Sequence, residues 1–93
     1  MKYALFVAVP PKIEESVSIS FLSEFEEKVQ KRKGQFEGVS QLLPGVWECN
    51  LEHGLWPLTM LVQLAPICHL GSKVLFLDES PSWVITPIDK GPT

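Results

Sequence analysis

Two cysteines and two histidines are the residues best suited to chemistry, and their spacing decides how much they can share. Cys49 with His53, and Cys68 with His69, can each be written as a thiol beside an imidazole, the pairing that makes a thiolate nucleophile. Histidine is the side chain that exchanges protons near neutral pH. Neither pair has an identifiable third group to orient the base, and neighbouring positions point in different directions. As a metal set, Cys49, His53, Cys68 and His69 amount to four ligands, but no CxxC and no standard zinc spacing joins them. The plainer reading is two buried or half-buried thiols, because unpaired Cys is among the most buried residue types; count alone also allows a disulfide, with reduced thiols the default where no secretory signal is read. No catalytic residue, metal or cofactor is expected. Glu48 and Glu52 flank Cys49 as solvent-facing strand residues do, and Asp78 and Glu79 read as a solvated turn. The 6 glycines are scattered and match no phosphate-cradling loop.

Lys28, Lys31, Arg32 and Lys33 form the one basic concentration. The plainer reading is a solvated helix end whose charge suits the helix dipole; the functional one makes them candidates for phosphate contact. The 8 basic and 11 acidic side chains give a formal net charge of −3. Affinity for a phosphate backbone comes from Lys and Arg releasing counterions, so nucleic acid is only weakly supported as a partner. Trp47, Trp56 and Trp83 are candidate binding or interface anchors, with burial in the core as the alternative. Trp56, in a loop before an apolar segment, is the one expected to be partly exposed. A small-molecule pocket, if present, would be lined by Trp47, Met60 and Phe76.

The 93 residues read as one α+β domain over residues 1–87, followed by a flexible tail over 88–93. Composition is 45% hydrophobic and 20% charged, which excludes wholesale disorder. A core of this size is modest, and self-association would help it. No apolar run approaches the length of a membrane span, so no membrane partner is expected. Ala4 to Val9 is too short for a secretory leader and runs into prolines rather than a cleavage site. The expected location is cytoplasmic.

Tyr3 to Val9 is a nearly continuous apolar run ended by Pro10-Pro11, the pattern of a strand buried on both faces. Ile13, Val17, Phe21, Phe25 and Val29 recur every fourth residue. A helix is predicted from about Ser18 or Ser20, with Ser20 or Ser23 as cap, Ser23 and Glu26 as a capping box, and Gly34 as stop. Phe36 to Leu43 leads into Pro44-Gly45, the signature of a type II turn. Val46 to Leu51 alternates, with Trp47, Cys49 and Leu51 on one face. A type II turn fits a two-residue hairpin poorly, so a bulge or a wider connection is expected. Leu58 to Ala65 reads as a helix with Pro57 in its first turn, ended or kinked near Pro66, or alternatively as a strand between the two prolines. Lys73 to Asp78 and Trp83 to Thr86 read as strands. The pattern is β-α-β-β-α-β-β: a ferredoxin-like antiparallel sheet with its first strand central, both helices on one face and one extra C-terminal strand.

Three stretches carry a resemblance. Lys2-Tyr3-Ala4-Leu5-Phe6-Val7, Leu43-Pro44-Gly45-Val46-Trp47-Glu48-Cys49-Asn50-Leu51 and Leu70-Gly71-Ser72-Lys73-Val74-Leu75-Phe76-Leu77 resemble the opening strand, the aromatic-then-polar strand, and the helix exit with fourth strand of the ferredoxin-like CRISPR-associated spacer-acquisition proteins and related endoribonucleases of mobile elements. The resemblance implies a homodimer formed through sheet edges. It does not imply the chemistry. That family's proposed metal-binding Asp ends the first strand, where this chain reads Val9-Pro10-Pro11. A metal-assisted phosphodiester cut needs an oxygen ligand there. The expected function is therefore a small non-catalytic binding or interaction protein. A metal-dependent endoribonuclease or nucleic-acid-binding protein and a small-molecule-binding domain are the alternatives.

Overall fold

The computed structural model describes residues 2–32, 34, 37–52 and 54–79. The Trp83–Thr86 strand, the 88–93 tail, Lys33, Phe36 and His53 lie outside the described residues. Six elements follow in order: β1 (Tyr3–Val9), α1 (Glu15–Lys31), β2 (Val39–Leu43), β3 (Val46–Asn50), α2 (Trp56–Ile67) and β4 (Gly71–Leu77). The strands form one antiparallel sheet of order β2-β3-β1-β4.

β1 sits centrally, paired to β3 and β4. It is buried on one face rather than two. Ala4, Phe6 and Ala8 are buried, while Tyr3, Leu5, Val7 and Val9 are only half-buried. A continuous apolar run cannot by itself distinguish these cases, since period-2 geometry places alternate residues on opposite faces whatever their type.

Helix α1 begins earlier than its serines predict, at Glu15 with Glu14 as cap and no side-chain capping bond. Ser20 and Ser23 therefore lie inside the helix and do not cap it. Pro10-Pro11 blocks helix upstream, and the chain turns at once. The Ile13 N–H donates to the Pro11 carbonyl at 2.9 Å, and the Ser18 hydroxyl donates to the same carbonyl at 3.3 Å. The helix ends at Lys31, capped by Arg32, before Gly34 is reached. Of its every-fourth stripe, Phe25 and Val29 are buried and Phe21 packs against the core, whereas Ile13 and Val17 are exposed. Only the C-terminal half of α1 docks.

The hairpin turns at Pro44-Gly45, where Gly45 has φ +81°, as the third position of a type II turn requires. The mismatch of twist is absorbed at the β2 end, where the register shifts between Gln41 and Leu43. The Gly45 carbonyl accepts the Ala8 N–H at 2.8 Å, so the turn also continues the pairing of β3 with β1. β2 starts at Val39, three residues later than Phe36.

The segment resolves as helix over Trp56–Ile67, with Leu58, Leu61, Leu64 and Ala65 buried. Pro57 occupies its first turn and Pro66 its last. The exit is a Schellman closure: Leu70 N–H donates to the Ala65 carbonyl at 2.9 Å, and His69 N–H to the Pro66 carbonyl at 3.0 Å. His69 takes the left-handed position at φ 62°, where glycine is usual. His69→Gly is expected to stabilise the fold by up to about 1 kcal/mol, less whatever the 5.1 Å ring contact with Phe21 contributes. His69→Val should cost roughly 1–2 kcal/mol, because a β-branched residue tolerates positive φ poorly. Thermal denaturation of both variants checks this; equal melting temperatures would mean that position 69 is not held left-handed.

The core between helices and sheet is apolar throughout, and no buried polar or charged side chain occurs among the described residues. Its centre is an aromatic trio. Phe25 stacks on Phe6 (centroids 5.9 Å apart) and meets Trp47 edge-on at 5.1 Å.

Candidate functional site

The thiols come first, because they are the strongest nucleophiles available. Cys49 lies on the core face of β3 and Cys68 at the end of α2, both free and fully buried. Burial pushes the Cys49 thiol up to about 11, with the Glu48 charge adding to it. Cys68 is also raised, chiefly by burial, with Glu24 adding to it against Lys28 and Arg32. A nucleophilic cysteine needs its pKa lowered by a cationic, accessible setting. These two have the opposite. His69 turns outward beside Phe21, and His53 lies outside the described residues. No cluster of three or more metal-ligating side chains occurs among the described residues.

The basic cluster is distributed along the last turns of α1. Lys31 pairs with Glu27 at 2.9 Å and Lys28 with Glu24 at 3.8 Å, each one helical turn away. The hydrogen bond from Lys31, followed by its charge, lowers the Glu27 pKa. Exposed pairs of this kind are weak and exchange readily with other anions. Arg32 borders a shallow depression with Met60, Gln63, Leu64 and Ile67. Lys33 belongs to the unassessed residues.

The three tryptophans separate. Trp47 is 2% exposed and packs within the aromatic trio. Trp56 opens α2 and is 61% exposed. Trp83 lies outside the described residues. Of the residues expected to line a pocket, Trp47 is enclosed by Phe6 and Phe25, Met60 packs half-buried against the same core, and Phe76 is 44% exposed.

Trp56 instead lines an open cleft of about 530 Å³ with Glu37, Asn50, Pro57 and three glycines, Gly34, Gly38 and Gly54. The β2–β3 pairing brings this about: Asn50 N–H donates to the Gly38 carbonyl at 2.8 Å, tying the residue before β2 to the end of β3. The Asn50 side-chain carbonyl accepts the Glu52 N–H at 2.9 Å. An indole face and a carboxylate can hold a flat or cationic group, but among the described residues the cleft contains no nucleophile with an adjacent base. Sequence spacing could not have found it, since Glu37, Asn50 and Trp56 meet only through the sheet.

A second surface is broader. Both helices pack on the face of the sheet carrying Ala4, Phe6, Trp47 and Cys49. The opposite face carries Leu5, Val7, Val46 and Leu75, and Leu75 is 57% exposed. No helix of the described residues is long and apolar enough to cross a membrane.

No protein-family model matches the chain, and comparison with curated proteins and with solved structures found no match.

Proposed function

We propose that this chain is a small binding protein without catalysis of its own, acting as a homodimer. One observation carries the reading: among the described residues both helices pack on one face of the sheet, and the other face is apolar too, with Leu5, Val7 and Val46 half-buried and Leu75 exposed. An apolar sheet face outside the helix-packed core is the kind of surface that marks an interaction site. The raised, buried thiols support the non-catalytic part, because neither is a thiolate at neutral pH. The ferredoxin-like arrangement is supported by the strand order, with β1 and β3 central and β2 and β4 at the edges. The extra strand at Trp83–Thr86 belongs to the same proposal.

The nuclease alternative has less support. β1 ends at Val9 and is followed by Pro10, which offers no carboxylate ligand for a divalent ion. Two cations of the basic cluster already face glutamates of their own helix.

Sedimentation equilibrium between roughly 1 and 100 μM, with a parallel RNA and DNA cleavage assay in Mg²⁺ and Mn²⁺, tests the reading. A dimer with no cleavage is expected. A strict monomer at the highest concentration removes the homodimer, and metal-dependent cleavage removes the non-catalytic assignment.

A further inference from the structure

We propose that the cleft at the start of α2 binds a quaternary ammonium group, with the Trp56 indole and the Glu37 carboxylate as its recognition elements. The proposal rests on the binding reading above and gives it a ligand class; it does not depend on the homodimer.

Trp56 is an indole that the fold does not use. It stands 61% exposed at the first position of α2, outside the core cluster, while the helix docks through Leu58, Leu61, Leu64 and Ala65. Glu37 is the one ionisable side chain among the described residues lining the cleft, and it makes no ion pair or hydrogen bond among them. A carboxylate alone attracts any cation. Beside an indole face it favours a cation that sheds water readily, because the ring quadrupole rewards a desolvated charge, and quaternary ammonium is the group recognised most often in this way.

The cleft also has room. Its volume of about 530 Å³ lies in the range of small-ligand sites. At Gly34 and Gly54 its wall is bare backbone, where an added Cβ would meet no atom within 4 Å. The bond from Asn50 N–H to the Gly38 carbonyl ties the residue after Glu37 to the end of β3. The Asn50 side-chain carbonyl is taken by the Glu52 N–H, and its amide N–H groups make no hydrogen bond among the described residues. They can donate to a hydroxyl or carbonyl on the ligand's tail.

The opposite preference, for an anion, has one feature in its favour. The first turn of α2 has no acidic residue and no side-chain cap, so its N–H groups carry partial positive charge. Pro57 removes one of those donors. The full charge of Glu37 outweighs the roughly half charge of a helix end.

The test follows the indole N–H signals of the full chain by NMR during titration with choline, its uncharged carbon isostere neohexyl alcohol, acetyl-trimethyllysine amide, and sulfate. Choline is expected to shift the Trp56 signal and leave Trp47 unmoved, saturating with a Kd on the order of 1 mM. The isostere should bind at least roughly 10-fold more weakly. Trp56→Leu and Glu37→Gln change exposed side chains, and each is expected to weaken choline binding roughly 5-fold. Tighter binding of the trimethyllysine amide supports a cation carried by a partner protein; tighter binding of choline supports a free small molecule. Equal binding of the isostere, binding of sulfate in place of both cations, no saturable shift, or unchanged affinity in both variants overturns the inference. A dimer that persists in those cases leaves the homodimer reading in place, whereas metal-dependent cleavage removes that reading without touching the cleft.

Discussion

Phe25→Ala is expected to lower stability by about 3–5 kcal/mol, the usual cost of deleting a buried aromatic ring and leaving its cavity. The reason is local. α1 has two buried residues, Phe25 and Val29, and Phe25 is the one in contact with both Phe6 of β1 and Trp47 of β3. Its ring is completely enclosed. Removing it takes away one of the three rings at the centre and the main attachment of α1 to the sheet. A domain of this size has only about 5–15 kcal/mol of stability in total, so the variant is left near its threshold. Ile19→Ala on the same helix serves as control. Ile19 is exposed, and its loss should stay within about 0.5 kcal/mol. Urea unfolding followed by circular dichroism measures both. If the two variants lose stability equally, the aromatic trio is not what holds α1 down.

Stability is expected to fall steeply between pH 9 and 11, and Cys49 to account for a separable part of it. The thiol titrates near 9.0 when solvated and about 11 in the fold, because burial disfavours the thiolate and the Glu48 charge adds to the penalty. The folded value is raised. The stabilisation is therefore fully present below pH 9, where both states hold the proton, and is lost as pH climbs through 11. A two-unit shift corresponds to roughly 2–3 kcal/mol. Cys68, also raised by burial, acts in the same direction. The informative quantity is the difference between the wild type and Cys49→Ala across the window, because it isolates the thiol from every other effect of alkali. The two curves should converge as pH rises from 9 to 11. Parallel curves would show that Cys49 does not ionise on unfolding and is not sealed in the core as described.

Much of the architecture was legible in the residue pattern. Alternation from Val46 to Leu51 put Trp47, Cys49 and Leu51 on a common face, and all three are buried. Pro44-Gly45 implied a turn with positive φ at glycine, and the poor fit of that turn to a hairpin implied the bulge that the register shift supplies. Pro57 and Pro66 bracketed α2. The start of α1 was misplaced for a definite reason. Serine spacing resembles a capping box wherever it occurs, but here the preceding prolines force the turn and the helix begins directly after it. The left-handed residue closing α2 is His69, not a glycine, so residue type carried no signal for it.

The candidate sites were less legible. Residue types alone could not separate Trp47 from Trp56, because an indole suits a core and a surface equally. The cleft beside Trp56 unites Glu37, Asn50 and Trp56 from three parts of the chain. Glu48 read as an ordinary solvent-facing strand residue and Lys73 as the start of a strand.

The sequence by itself determined the local features: where strands alternate, where prolines and glycine turn the chain, and that the thiols belong inside. These follow from side-chain period, backbone restriction and hydrophobicity, which act over a few residues. Tertiary structure decided which face of β1 the helices pack on, which tryptophan is sealed, and that Glu48 and Lys73 lie on one sheet face on either side of the central strand. Those depend on strand order and on the side of the sheet the helices choose, and both are set by contacts between residues far apart in the chain.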